Sequence, residues 1–337
     1  MNLVSRISYR IQSFIFRSIL SLVVNIPYHR AINIGRFIGK VAWIGIPLHR
    51  KISEVQMRHT LNLGNEKEMT RTVFMYQGDS IIDMIRFAFI SDEELKERIL
   101  IEGREHIEKA VASGRGVMMI TGHMNQEILG HIPRLLGFEF CIMGDIMKNR
   151  ALQELIEDLR SRCGFTLLPP KGGMMNMLTA ELKKGRVMGI IMDQRGKRDN
   201  RVFCDFLGLS APLNPAPAFI ALKGDALVQP VSAIKKGDNY VFKFEPFLDT
   251  RDFGTDYQAI EKISDSWQSQ AVQELSCAMH KWLEGVVRET PEQWFWMHTK
   301  WLRRSDMKKV INKGADFRAM IQAQKETFVG KEPARQG

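Results

Sequence analysis

Cysteine is scarce and scattered. The 337 residues hold four, Cys141, Cys163, Cys204 and Cys277, with none of the short spacings that hold a metal. Each sits in or beside an apolar run, so buried free thiols in a reducing compartment are expected, and no structural disulfide. With no ligand cluster, neither a metal nor another cofactor is expected. The chain also lacks a finger, RNP-like or helix-turn-helix signature, which makes nucleic acid the weakest class of acidic partner despite the net charge of +10. No repeat or low-complexity segment interrupts it. An unbroken apolar run of the roughly 20 residues that a membrane-spanning helix needs is missing too. Residues 11–26 read IQSFIFRSILSLVVNI, with Arg17 in the middle and Pro27 behind. No small-residue cleavage site follows, so a removed signal peptide is not expected.

What is present is ordinary globular material, 45% hydrophobic and 26% charged, enough for one large α/β domain with helical additions. The excess of basic residues favours an acidic partner: anionic headgroups, a phosphorylated substrate or an acidic carrier protein. At the N-terminus Arg6, Arg10, Arg17, Arg30, Arg36 and Lys40 interleave with apolar residues, which suits an anionic membrane surface. An arginine at mid-bilayer costs about 2.5–3.5 kcal/mol, so an interfacial helix competes with a span. An amphipathic helix packed on the domain's own core is the plainer alternative. The expected division is a membrane-associated helical segment over 1–47, a main domain over 48–305 and a charged C-terminal tail, helical or loose, over 306–337.

Periodicity supplies the elements. Ile34, Phe37, Ile38, Val41 and Ala42 predict a helix closed by Pro47, and a basic helix follows to Asn62-Leu63-Gly64. Residues 66–90 read as a helix pair. From residue 101 short apolar strands alternate with helices, the mark of an α/β sheet. Strands are expected at 117–121, 139–143, 165–168 and 187–192, and a hairpin around Lys236-Gly237-Asp238-Asn239 joins 227–234 to 240–247. A long helix is expected over 265–287.

Two of these strands deliver polar residues. Val117–Thr121 ends in Gly122, then His123, Asn125 and Glu127. Imidazole titrates near neutrality, so His123 is a candidate general base, and Glu127, four residues on, a candidate orienting partner. The bland reading is a His and a Glu capping a turn, since the spacing alone is a weak pattern. A pair of metal ligands would need a second histidine nearby. Val187–Met192 ends in Asp193-Gln194-Arg195-Gly196-Lys197-Arg198, and Arg201 follows. Arginine reads phosphate bidentately, so this basic run is a candidate phosphate grip, or else a solvated loop. Lys171, before two glycines at a helix start, is a similar candidate.

Taken together, these blocks resemble the lipid A biosynthesis (late) acyltransferase family. Thr121-Gly122-His123 with the acidic Glu127, Asp193-Gln194 at the next strand end, and the aromatic Pro291-Glu-Gln-Trp-Phe-Trp-Met-His-Thr-Lys-Trp301 stand in the family's order, over roughly residues 10–305. The arginine-rich helix closing on Asn62-Leu63 is similar as well, and residues 202–214 match the family's Phe-Gly-rich loop, which implies an apolar loop running into a helix near Pro215. The resemblance implies a glycerolipid acyltransferase-like fold, a mixed β-sheet wrapped by helices behind an N-terminal membrane-associated helix. It implies a fatty acyl donor on acyl carrier protein, a hydroxyl of a lipid A precursor as acceptor, and a place at the cytoplasmic face of the bacterial inner membrane. His123 and Glu127 would be catalytic, and Asn125, Lys171, Asp193, Gln194, Arg195 and Lys197 would bind substrate, with His298 packed. Two departures stand out. Family members put four residues between the histidine and the acid where this chain has three, and Met143-Gly144-Asp145 replaces a Tyr-Arg-Pro. An acyltransferase for another glycolipid, aminolipid or glycerophospholipid, and a catalytically degenerate membrane-bound scaffold, remain as alternatives.

Overall fold

A computed structural model describes residues 3–143, 149–168, 174–197 and 199–329. The chain opens with four helices, α1 (Leu3–Asn25), α2 (Tyr28–Gly45), α3 (Pro47–Thr60) and α4 (Glu66–Phe87). The stretch expected as a helix pair is therefore one continuous helix. Its buried row, Val73, Phe74, Ile82 and Ile85, keeps helical spacing throughout, and nothing in 66–87 breaks the hydrogen-bond ladder. Helices α2 and α4 approach closely because Gly35 and Gly39 face Gly78, where any side chain would overlap the opposing backbone.

Helix α1 packs its Leu20, Val23 and Val24 side on α4 and on Leu155, Ile156 and Leu159 of α9 (Arg150–Ser161). Its other side presents Ile7, Ile11, Phe14, Ile15, Ile19 and Leu22, all exposed, and α2 adds Phe37, Ile38, Val41 and Ile44. An apolar surface this continuous marks an interaction face. By length and composition Arg6–Asn25 is able to cross a membrane.

The centre is an eight-stranded sheet. Its strands are β1 (Ile99–Glu102), β2 (Val117–Thr121), β3 (Phe140–Met143), β4 (Thr166–Leu168), β5 (Val187–Ile191), β8 (Leu227–Lys236), β9 (Asn239–Phe244) and the short β10 (Leu248–Asp249). The order is β1-β9-β8-β2-β5-β3-β4, with β10 on β8. The β8–β9 hairpin and β10 are antiparallel, and the other pairings are parallel. This is the mixed sheet wrapped by helices that the resemblance implies. Strand β2 is buried along its whole length. Val117 and Met119 enter one core with α6 (Arg104–Ala112), α7 (Gln126–Leu129) and α8 (Ile132–Leu136). Met118 and Ile120 enter the other, with α10 (Met174–Lys183), α11 (Ala216–Lys223) and α12 (Gln270–Glu289). A strand covered on both faces needs apolar residues at every position, which is why this run does not alternate. One further helix, α5 (Asp92–Arg98), leads into β1.

Three further expectations are corrected. Residues 202–213 are not a loop but a hairpin, β6 (Val202–Phe206) against β7 (Leu209–Leu213), turned by Leu207 and Gly208, both at positive φ. The long helix starts at Gln270, not 265, because the Ser269 hydroxyl accepts from Val272 N at 3.2 Å and caps it there. Cys204 and Cys277 are not free thiols but a disulfide, β6 to α12, with Cα atoms 5.5 Å apart. Their 73-residue separation gives no local spacing to read, and only the packing of the hairpin on α12 brings them together. Cys141 and Cys163 are free and buried.

The segment set apart as a tail is helical over its described part, α13 (Arg304–Lys313) and α14 (Phe317–Val329). Met307, Phe317, Ile321 and Phe328 are buried in the main core. Phe317 stacks on His59, and Gln324 donates to the Trp301 carbonyl at 3.0 Å.

Candidate active site

The register of two parallel strands builds the site. Thr121 at the end of β2 pairs with Ile191 at the end of β5, so residues two further along each chain, His123 and Asp193, leave the sheet side by side. Carboxyl ends of adjacent parallel strands are where open α/β sheets place ligands. The Asp193 carboxylate meets His123 Nδ1 through Oδ1 at 2.5 Å, and Oδ2 accepts from the His123 backbone N–H at 2.8 Å and from Trp294 Nε1 at 2.7 Å. Gly122 permits this, since a Cβ there would lie 3.2 Å from Asp193 Oδ2 and 2.9 Å from Leu283.

Asp193 is fully buried while the His123 side chain is 25% exposed. Nδ1 is held by the carboxylate, so Nε2 faces outward as the available nitrogen. Burial alone would raise the Asp193 pKa, but the charge and hydrogen bond of His123, with help from His298 and Lys300, hold it well below the usual carboxylate range. Burial pulls the His123 pKa down, the charge and hydrogen bond of Asp193 push it up, Lys300 pulls it back, and the net direction is up. An imidazole oriented in one tautomer by a buried carboxylate, with Nε2 presented, is suited to take a proton from a hydroxyl.

The aromatic segment after the one-turn helix at Pro291–Gln293 closes the site. Phe295 N donates to the His123 carbonyl at 2.9 Å. His298 lies 5.5 Å from His123 between ring centroids and stacks on Phe295. Burial lowers the His298 pKa to about 4, so its ring is neutral. On α3, Gln56 donates to the carbonyls of Trp296 and His298 and accepts from Lys300 N. The side chain of Lys300 is buried, and its Nζ donates to the Asp193 carbonyl at 2.7 Å.

The structure distributes the sequence-predicted residues unevenly. His123 and Asp193 come together, with Asp193 in the orienting position expected of Glu127. Glu127 instead pairs with Arg160 of α9, at 2.8 Å and 3.3 Å. An i,i+4 contact requires continuous helix, and Asn125 between them is left-handed, with φ of 53°, so α7 begins only at Gln126 and turns Glu127 away. Asn125 is itself buried. Its amide nitrogen donates to Tyr76 Oη and the Ala233 carbonyl at 2.8 Å each, and it is buried with Gln293 and Ser80 around it. A residue whose hydrogen bonds are all met inside the protein fixes the turn that carries His123.

Gln194 and Lys197 are exposed beside the site. Arg195 is partly buried, with Nη1 enclosed and without a partner among the described residues, and burial and the nearby charge of Arg303 both lower its pKa. Arg201 leaves the basic run: it is buried between the rings of Phe203 and Phe328, 5.1 Å and 4.8 Å from their centroids. Lys171, Arg198 and Gly144-Asp145 lie outside the described residues. Sequence reasoning missed Trp294, Lys300 and Arg160. The signal for the first two was a Trp and a Lys inside an aromatic block with no surface character.

Comparison with known proteins places these residues in context. The family model described as bacterial lipid A biosynthesis acyltransferase matches residues 3–303. A lipid A biosynthesis palmitoleoyltransferase of Escherichia coli (strain K12) is 22% identical over 293 residues, 85% of this chain and 89% of that protein. A lipid A biosynthesis acyltransferase of Shigella flexneri matches to the same extent. One of Haemophilus influenzae is 22% identical over 261 residues, 76% of this chain and 77% of its own.

Proposed function

Since the chain belongs to the bacterial lipid A biosynthesis acyltransferase family and is an acyltransferase, we propose that it moves a fatty acyl chain from acyl carrier protein to a hydroxyl of a lipid A precursor, with His123 as general base. The contact between His123 and Asp193 across the ends of β2 and β5 carries this reading. His123 Nε2 takes the proton of the acceptor hydroxyl as its oxygen attacks the thioester carbonyl, and Asp193 stabilises the imidazolium that forms. The tetrahedral intermediate collapses to the ester, and the carrier thiolate leaves and recovers the proton. No covalent enzyme intermediate is required, because a thioester is already activated.

Charge supports the choice of donor and acceptor. A chain with net charge +10 attracts an acidic carrier protein. Gln194, Arg195 and Lys197 leave the sheet directly after Asp193, which supports contact with a phosphorylated acceptor, and Arg303 adds a second guanidinium beside Arg195. Glu127 holds Arg160 at the edge of the same turn. The outward apolar rows of α1 and α2 would rest in the cytoplasmic face of the inner membrane, where an amphiphilic acceptor resides. An assembled base and carboxylate speak against the degenerate scaffold.

The test is transfer from labelled acyl carrier protein to a lipid A precursor by wild type and His123→Ala. Loss of the base should lower the rate about 10²- to 10⁴-fold. Transfer unchanged by the substitution would overturn the mechanism, and wild-type transfer only to a different lipid would redirect the acceptor.

A further inference from the structure

Lys300 is an unusual residue to find where it is. Its side chain has no exposure, and it makes no salt bridge among the described residues. Its ammonium donates to the Asp193 carbonyl oxygen at 2.7 Å and lies 5.1 Å from the Phe206 ring centroid. An ammonium taken out of water without a directly bonded carboxylate is costly. The fold does not need that charge to seat the segment, because Gln56 already ties down the backbone of Trp296, His298 and Lys300.

We propose that Lys300 is a positioning residue for the transfer reaction: from behind Asp193 it fixes that residue's backbone and offsets its negative charge, so that the imidazole in front gives up its proton more readily than it would beside an unbalanced carboxylate. This rests on the reading of His123 as the general base.

The charges around the pair make the argument. Facing it are His123 from the end of β2, Asp193 from the end of β5, His298 and Lys300 from the aromatic segment, and His280 from α12, edge-on to Phe206. Burial lowers His280 to about 3 and His298 to about 4, so both are neutral near pH 7. That leaves one anion and two groups able to be cations. With Lys300 charged, the carboxylate is already balanced, and a proton on His123 leaves an excess positive charge in a buried site. Without Lys300, protonated His123 and Asp193 would form a neutral pair, and the proton would be held more tightly. Burial lowers Lys300 itself to about 8, so it stays largely protonated at neutral pH. A base poised near the working pH is the more effective catalyst.

The experiment uses the full chain with Lys300→Met, and with Lys300→Gln, which retains a donor for the Asp193 carbonyl but not the charge. Acyl transfer is followed from about pH 5.5 to about pH 9, and His123 is titrated directly by ¹³C-histidine NMR in the absence of substrate. Loss of the charge should move both the acid limb of the rate and the His123 titration upward by about one pH unit, a rate about tenfold lower on the acid side. The rate should return toward wild type at alkaline pH, and Lys300→Arg should keep the limb near its original place. Should the Met variant fail to fold, the Gln variant carries the same test. A rate lowered equally at every pH, with the His123 titration unmoved, would overturn the proposal and leave Lys300 a packing residue. A shifted titration in a protein whose wild type transfers no acyl group would uphold the role of Lys300 and remove the reaction assigned to His123.

Discussion

Two buried assemblies of aspartate and lysine stand among the described residues, and they are built to opposite ends. In the first, Asp83 of α4 is fully buried and accepts from Tyr28 at 2.8 Å, Tyr240 at 2.7 Å and Lys235 at 2.5 Å. Asp79, one turn away, lies 3.9 Å from Lys235 and 3.1 Å from Arg36. Burial raises the Asp79 pKa, while Lys235 and Arg36 oppose it. In the second, Lys300 reaches only the carbonyl of Asp193, and the carboxylate is spent on two N–H groups and an imidazole that is a quarter exposed. In one the charges pair directly and phenols fill the remaining acceptor sites. In the other the partner of the carboxylate is an imidazole that meets solvent. The residue types are the same, but only the second presents a titratable ring to solvent.

The largest effect should separate them by activity. Asp193 Oδ2 accepts from two N–H groups, so in Asp193→Asn the amide oxygen must take that place and the amide NH₂ must face His123 Nδ1. That hydrogen bond forces the proton onto Nε2, the nitrogen needed as base. Acyl transfer should fall about 10²- to 10⁴-fold, with the folded state retained by circular dichroism. A variant with ordinary activity would make the contact structural and erase the distinction between the assemblies.

The reverse should hold for Asp83→Asn. It leaves Lys235 buried without its directly bonded counter-charge, and breaking a buried pair from one side costs about 3–5 kcal/mol. Chemical denaturation should register that loss, while turnover per folded molecule stays close to wild type. If turnover collapsed as well, α4 would belong to the catalytic apparatus through Tyr76, which hydrogen-bonds both Asn125 and Gln293.

How much of this was legible in the sequence follows the range of the interactions. Strands β2 and β5 announced themselves as short apolar runs ended by polar residues, because burial on both faces is a local constraint. Their pairing is not local. Nothing in the linear order says that His123 and Asp193, 70 positions apart, leave neighbouring strands in register. The nearer Glu127 therefore looked like the partner, and the left-handed Asn125 that turns it away was invisible. The β6–β7 hairpin was hidden for a similar reason. Its turn sets Leu207 at a φ of 55°, where a leucine is rarely found, so the sequence carries no Asn-Gly or Asp-Gly signal. Lys300 was not singled out, because a fully buried lysine is the exception.

Glu127 offers the intermediate case and the smallest effect. Its pair with Arg160 is neither sealed like Asp83–Lys235 nor coupled to the imidazole, with side chains 27% and 19% exposed. A half-exposed ion pair contributes little to stability, typically about 0–1 kcal/mol once solvent screening is counted. Glu127→Gln should therefore barely alter unfolding. If its work is to aim Arg160 at substrate, transfer should drop about tenfold, chiefly through KM, because a guanidinium that holds an anion acts on binding before it acts on the proton. Arg160→Ala should do the same, and the double variant should be little worse than either, since both act through one contact. An acid limb shifted by Glu127→Gln would mean instead that its charge is felt at His123. The turn would then serve the base from two carboxylates, and the shortened spacing of this chain would have preserved the electrostatic role while giving up the hydrogen bond.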